Sequence, residues 1–398
     1  MYIYMGHMGY EQTKPYEDHF WKKNNIDLLF DHVESIEPNG KKLKLRSQGE
    51  LDYDKLLIAT GSNSNLFGWP GQDLDGVQGL YSLQDLQQME HHTKDIERAV
   101  IVGGGLIGVE MAEMLHSRHI PVTYLIRERG FASHFLPADE ANMVARHIRS
   151  RGIDLREEVD LKEILADENG RAKAVVTATG EEIGCQFVGL TVGVHPNIDL
   201  AKDAGVETDK GILVSSNLET NIKDIYASGD CVQIQDPPAG RKATEAVWYV
   251  GRIQGKTVAY NICGKAVDYD PGVWFNSAKF FDIEYQVYGD IKPQLGEGEQ
   301  TLYWEHPDGE RSIRITYNAN NEVIGFNLMG IRYRHDVCDE WISKGTNIES
   351  VLENLGKANF ETEFHGQYEK ELVSIYNHQN PGKNISLKKR RGLFALLK

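Results

Sequence analysis

The apolar positions along this chain follow three different periods. Ala99-Val100-Ile101-Val102 is continuously apolar and rich in β-branched residues, the pattern of a strand buried on both faces. After a glycine cluster, Val109, Ala112, Met114 and Leu115 supply one apolar side of a helix, and "PVTYLIR" from Pro121 reads as a second strand. Two shorter runs end in small-residue turns. "LDYDKLLIATGS" (51–62) predicts a strand over 55–58 leading into Ala59-Thr60-Gly61, and "TNIKDIYASGDC" (220–231) predicts a strand leading into Gly229-Asp230. The segment 243–262 has helical spacing in Val247, Val250, Ile253 and Val258. Beyond Tyr269 the pattern alternates in "VWFNSAKFFDIEYQVYG" and "RSIRITYNANNEVIGFNLMG", predicting paired strands with Asn318-Ala319-Asn320-Asn321 as the turn. Helical segments follow around Trp341 and Val351.

Composition narrows the class. The 398 residues are 40% apolar, enough for two or three packed domains, and no apolar stretch approaches the length of a membrane-spanning helix. A net charge of −16 disfavours a nucleic-acid binder, because phosphates would be repelled over most of the surface. The opening residues have no basic region followed by a long apolar core, so they do not read as a secretory signal. Cys185, Cys231, Cys263 and Cys338 are scattered without a CxxC pair, which leaves no zinc ribbon or thioredoxin-type motif and no predicted metal site. These features predict a soluble, cytoplasmic protein without an integral membrane segment.

The chemistry is concentrated at the glycines. Gly103, Gly105 and Gly108 stand at G-x-G-x-x-G spacing between the strand and the helix. In a dinucleotide fold the first makes a tight turn, the second admits a pyrophosphate to the backbone, and the third lets helix and strand pack closely. The helix start, with Leu106 and Ile107, would hold phosphates on its free N–H groups and positive dipole end. At the tip of the second strand Arg127 and Arg129 bracket Glu128. An arginine there accommodates a 2′-phosphate and a carboxylate accepts from the ribose, so the tip leans towards NADP while leaving NAD open.

The order of "ATG", "GGGLIG", "VGVHPN" (192–197) and "IYASGDC" resembles the flavin-dependent pyridine nucleotide–disulfide oxidoreductases, in particular the branch of NAD(P)H oxidases, rubredoxin and ferredoxin reductases and nitrite-reductase flavin subunits. The resemblance covers about residues 15–290. It implies an α/β architecture of Rossmann-like FAD- and NAD(P)-binding domains. The nicotinamide domain (96–205) would be inserted between two parts of a partial FAD domain (1–95 and 206–268). A C-terminal α+β domain (269–380) would pack on the flavin domain, and a basic tail (381–398) would follow. By the same resemblance Thr60 and Gly61 lie on the FAD side of the hinge, Gly193 belongs to the nicotinamide site, and Gly229 lets the flavin chain pass. Asp230 accepts from the ribityl chain. Glu245 and Ala246 lie at the start of a helix aimed at the flavin ring, and Glu110 lies near the nicotinamide. For Glu110 a plain first-turn carboxylate favouring the helix dipole is an equal reading.

The implied activity is hydride transfer from NAD(P)H to FAD, with electrons passed to a small-molecule or redox-protein acceptor, and a homodimer is possible. No side-chain nucleophile is needed and no catalytic residue is assigned. His306-Pro307 is followed by Asp308 rather than by the threonine of disulfide reductases, and neither His335 nor His365 is singled out. The family's opening strand, glycine turn and helix have no counterpart before residue 99, where "YEDHFWKKNNIDLLF" (16–30) resembles the helix and strand that come after such a unit. The expectation is therefore that at least one βαβ unit of about 30 residues is missing and that the sequence is a fragment rather than a naturally short form. The alternative function is a non-catalytic nicotinamide-nucleotide-binding protein without flavin.

Overall fold

The structure, a computed structural model, describes residues 1–360 and 366–388. His365 and all but the first residues of the basic tail lie outside them. At the centre is a parallel sheet of five strands in the spatial order Val77–Gln78, Phe187–Leu190, Ala99–Val102, Val122–Leu125, Asp154–Arg156. All four residues of Ala99–Val102 and of Val122–Leu125 are buried, because helices pack on one face of the sheet and an antiparallel sheet on the other. Leu106–Ser117 and Ala138–Ser150 are the crossover helices, and the antiparallel strands Leu161–Ala166, Ala172–Thr177 and Glu182–Gly184 cover the cleft side. The sheet thus recruits Val77–Gln78, which precedes residue 96, where the glycine-bearing unit begins in sequence. Two residues at an edge are too short to carry a period.

The segments on either side of this unit meet in space. Leu56–Ile58 pairs in parallel with Ile225–Ala227, and Ile212–Val214 with Val232–Ile234. Ile58, Ile212, Ile225, Cys231 and Val258 share one core, so residues nearly two hundred positions apart build a single body around the insertion. The chain crosses between the bodies on two antiparallel strands, Ser62–Ser64 and Val194–Pro196. Helix Trp248–Ile262 packs along the second body.

One expected strand is not formed. Asp18–Lys23 is helical, but residues 24–32 are irregular, with Ile26, Leu28, Leu29 and Phe30 exposed and Phe30 87% accessible. A lone strand with no neighbour to satisfy its ladder or cover its apolar face has nothing to hold it.

The C-terminal sheet runs Phe275–Phe280, Ile283–Gly289, Val323–Met329, Ser312–Tyr317, Gln300–Glu305, all antiparallel, with helices His335–Ser343, Ile348–Asn354 and Glu369–Gln379 beside it. Asn321, at φ +61°, closes the turn between Ser312–Tyr317 and Val323–Met329. Besides the expected contact with the flavin body, this sheet docks on the glycine-bearing unit. Phe280, Tyr285 and Met329 join the core of the nicotinamide-type unit with Met111 and Val144. Arg314, buried, grips both oxygens of the fully buried Glu140 at 2.7 and 2.8 Å and also reaches Asp139 at 2.7 Å. Asn327 donates to Glu140 at 3.0 Å. His147 meets Asp282 at 2.7 Å and Lys279 meets Glu113 at 2.7 Å. The flavin-side helix makes a lesser contact, with Tyr249 Oη 2.8 Å from Ser277 Oγ.

Candidate functional site

The three glycines do three different things. Gly103 has φ +116°, and a Cβ there would stand 2.5 Å from the Thr191 carbonyl oxygen, so the turn tolerates only glycine. A Cβ on Gly108 would stand 2.2 Å from Tyr124 Oη, 2.5 Å from the Gly103 carbonyl oxygen and 2.7 Å from Thr191 Oγ1. Helix and sheet are therefore in direct contact at that point. Gly105 has an ordinary φ of −105° and nothing within 4 Å of a would-be Cβ. Its bare face opens on a cavity. Gly105 is also the N-cap of helix Leu106–Ser117 with no side-chain cap, so the first N–H groups and the positive dipole end are free to meet an anion.

That cavity has a volume of about 800 Å³, and Gly103, Gly105, Leu106, Ile107, Arg127, Gly193 and Ala246 all line it. Seven of the predicted positions, drawn from both bodies, therefore meet in one cleft of the size that a dinucleotide needs. Gly108 lies beneath the turn. Glu110, one helical turn in, does not line the cleft, and burial raises its pKa above the usual carboxylate value.

At the strand tip Arg127 is exposed and holds Glu128 at 2.8 Å, both side chains lining the cleft. Arg129 does not line it. Sequence reasoning missed several lining residues: Phe67 and Trp69, whose rings meet edge to face at 5.4 Å, Asp160, Thr191, and the pair His134–Phe135. His134 is solvent-accessible and packs edge-on against Phe135 with centroids 4.9 Å apart. Neither of its ring nitrogens has a hydrogen-bond partner among the described residues, and desolvation by the cleft walls lowers its pKa. Tyr124, whose hydroxyl donates to the Gly103 carbonyl at 2.9 Å, is another residue that no motif signals.

The hinge and flavin-side residues form a second group. Thr60 Oγ1 donates to the Asn197 carbonyl at 2.6 Å, and the Asn197 amide donates to Gly61 at 2.9 Å. These bonds tie together the two crossing segments. Gly61 has φ +69°, and Tyr81 Oη would be 2.6 Å from a Cβ there. Tyr81 accepts from the Ser62 amide and donates to Asp230, both at 3.0 Å. Gly229, at φ +85°, donates its amide to Gln254 of helix Trp248–Ile262 at 2.7 Å. Glu245 is fully engaged: Arg241 takes both its oxygens, at 2.9 and 2.6 Å, with both side chains buried.

His306 pairs with Asp308 in a turn, and His335 packs against Phe275 and Tyr288. Both are far in role from the cleft. Among the described residues no cluster of histidine, cysteine or acidic side chains is arranged for a metal, and no helix is long and apolar enough to cross a membrane.

The residues fit a nicotinamide nucleotide: an open glycine at a free helix N-terminus, in a cleft with a ribose-reading strand tip. For FAD, Asp230 and the start of helix Trp248–Ile262 are the residues that would hold it, while the described residues hold no second strand–glycine turn–helix unit for its diphosphate.

Comparison with known proteins agrees. A family model described as pyridine nucleotide-disulphide oxidoreductase matches residues 8–255. The NADH oxidase of Methanocaldococcus jannaschii is 28% identical over 328 residues, 78% of this chain and 72% of its own. The rubredoxin-NAD(+) reductase of Acinetobacter baylyi is 34% identical over 207 residues, covering 51% of this chain and 53% of its own. The NADH-rubredoxin oxidoreductase of Clostridium acetobutylicum is 29% identical, covering 69% and 66%. The chain thus spans from about half to about three quarters of the length of these relatives. A ferredoxin reductase structure from Rhodopseudomonas palustris superposes with a TM-score of 0.72 at 25% identity, covering 79% of this chain and 76% of that one. The fold of an NAD-dependent persulfide reductase from A. fulgidus matches with a TM-score of 0.80 at 24% identity, covering 95% and 75%. With a strand–glycine turn–helix unit inserted into a second α/β body, and with a family model matching more than half its length, the chain belongs to the pyridine nucleotide-disulphide oxidoreductase family, whose cofactors are FAD and NAD(P)H.

Proposed function

We propose that this protein is a flavin-dependent NAD(P)H oxidoreductase, carrying electrons from a nicotinamide nucleotide through FAD to an acceptor. The observation that carries the reading is the cleft itself, in which the phosphate-binding turn at Gly105 and Ala246 of the flavin-side loop line one cavity. Bound FAD would supply the site with a hydride acceptor that can pass electrons on singly or in pairs.

The chain's own contribution is placement. Gly105 and the helix N-terminus anchor the nucleotide, and Gly193 and Val192 form the wall that faces them. Thr60, Asn197 and Tyr81 set the two bodies relative to each other. Asp230 would accept from a ribityl hydroxyl, and the positive end of helix Trp248–Ile262 would favour a reduced, anionic flavin ring placed beside it. A redox protein is the acceptor class that the names of the rubredoxin reductases favour. The four free cysteines, three of them buried, suit a reducing compartment such as the cytoplasm. A homodimer remains an expectation from the family, to be measured by light scattering.

The test is to titrate the protein with NADH and NADPH and then record nucleotide-dependent reduction of an artificial dye acceptor as FAD is added. Reduction that saturates with FAD supports the proposal. Tight nucleotide binding with no dye reduction at saturating FAD would instead favour the non-catalytic nucleotide-binding protein.

A further inference from the structure

The cleft is poorly provided with positive charge for a ligand that is at least doubly negative. Its charged lining residues are Arg127, Glu128 and Asp160, which leave one net negative charge, and Arg127 is already committed to Glu128 at 2.8 Å. Within the lining, the fixed attraction comes chiefly from the helix N-terminus at Gly105, with Lys242 acting from just outside it. One other titratable side chain lines the cavity, and it is His134. Its imidazole is accessible from the cleft, has no hydrogen-bond partner among the described residues, and is steadied by Phe135.

We propose that His134 binds a phosphate of the nicotinamide nucleotide as an imidazolium, taking up its proton when the nucleotide enters. The inference rests on the nucleotide-binding reading of the cleft and adds to it a residue and a pH dependence. The groups that bear on His134 are Glu128 and Arg127 at the strand tip, Asp160 across the cleft and Lys242 in the loop before helix Trp248–Ile262. Burial, Lys242 and Arg127 disfavour the charged ring in the empty cleft, and Glu128 favours it only in part. The net pKa is below the ordinary value, so the empty site holds mostly neutral imidazole near neutral pH. A phosphate beside the ring reverses that balance and raises the pKa. Affinity is therefore high where the bound ring is protonated and falls as pH rises through the bound-state pKa.

Two phosphates could be the partner, the diphosphate common to both nucleotides or the 2′-phosphate of NADPH, and comparing the two ligands separates them. NADH and NADPH fluorescence titrations would be run at about pH 6 and about pH 8 on wild type, His134→Gln and His134→Lys, with thermal melts to confirm folding. Wild type should lose about tenfold in affinity across that range, or about 1.4 kcal/mol. His134→Gln should bind weakly at both pH values, and His134→Lys tightly at both. A His134 effect on both nucleotides assigns the diphosphate, and an effect on NADPH alone assigns the 2′-phosphate. If His134→Gln keeps the wild-type pH profile for both ligands, the inference is wrong. If wild type binds neither nucleotide, the reading of the cleft falls with it.

Discussion

The sharpest prediction sets two glycines of one motif against each other. A Cβ at Gly105 meets no atom within 4 Å, and the backbone sits at φ −105°, ψ −178°, which a β-branched residue adopts without strain. Glycine ranks well above valine at an N-cap, so the exchange should cost about 0.5–1.5 kcal/mol of helix-end stability. The melting temperature should fall by no more than about 4 °C. The new side chain would, however, fill the space over the backbone where a phosphate must approach. Losing one charge-assisted hydrogen bond is worth about 1.5–3 kcal/mol, so NAD(P)H affinity should fall about tenfold to a hundredfold.

Gly108→Ala should do the reverse. Its Cβ would lie 2.2, 2.5 and 2.7 Å from Tyr124 Oη, the Gly103 carbonyl and Thr191 Oγ1, and both hydroxyls donate to that carbonyl. Such overpacking costs about 1–3 kcal/mol or more, read as a lower urea midpoint. Fluorescence titration and urea melts on the same preparations decide the matter. A folded Gly105→Val protein with an unchanged dissociation constant would refute the placement of the phosphate. Wild-type stability in Gly108→Ala would refute the packing argument.

Three further outcomes are expected. Arg314→Met leaves the buried Glu140 carboxylate with Asn327 as its one side-chain hydrogen-bond donor among the described residues, and should destabilise by about 3–5 kcal/mol in denaturant melts, with the C-terminal sheet loosening first in hydrogen exchange. Arg127 and Glu128 are paired at the strand tip, and wild type should prefer NADPH modestly; Arg127→Ala should erase the preference, and a wild type that binds NADH clearly more tightly would sink this idea. Asp282 has a lowered pKa: burial raises it, but the His147 hydrogen bond and the charges of His147 and Arg151 outweigh that. A depressed carboxylate stabilises above its unfolded pKa and loses that contribution as pH falls through the folded value, so the melting temperature should drop below about pH 4, less steeply in Asp282→Asn.

Much of the site was legible in the sequence because local chemistry dictates it. Ala99–Val102, the glycine turn and the following helix are consecutive, and each glycine answers a constraint within a few ångströms of its own backbone. Ser312–Tyr317 and Val323–Met329 were equally readable, since alternation and an Asn-rich turn are local signals. Arg127 at the strand tip is likewise set by counting from the first glycine.

Tertiary structure decided what depends on distant partners. Residues 26–30 have a strand's composition but no neighbouring strand, so they stay irregular. Val77–Gln78 has almost no pattern, yet Phe187–Leu190 captures it as a sheet edge. Glu245 lies near the expected flavin contact in sequence, but Arg241 four residues earlier takes its carboxylate. His134 could not be chosen in sequence over His335 or His306. Only the folding of the strand-tip loop over the glycine turn puts in the cleft an imidazole without a hydrogen-bond partner among the described residues, while the other two are engaged by Phe275 and Asp308. Backbone demands can be read along the chain. The fate of a side chain's charge depends on what the fold brings against it.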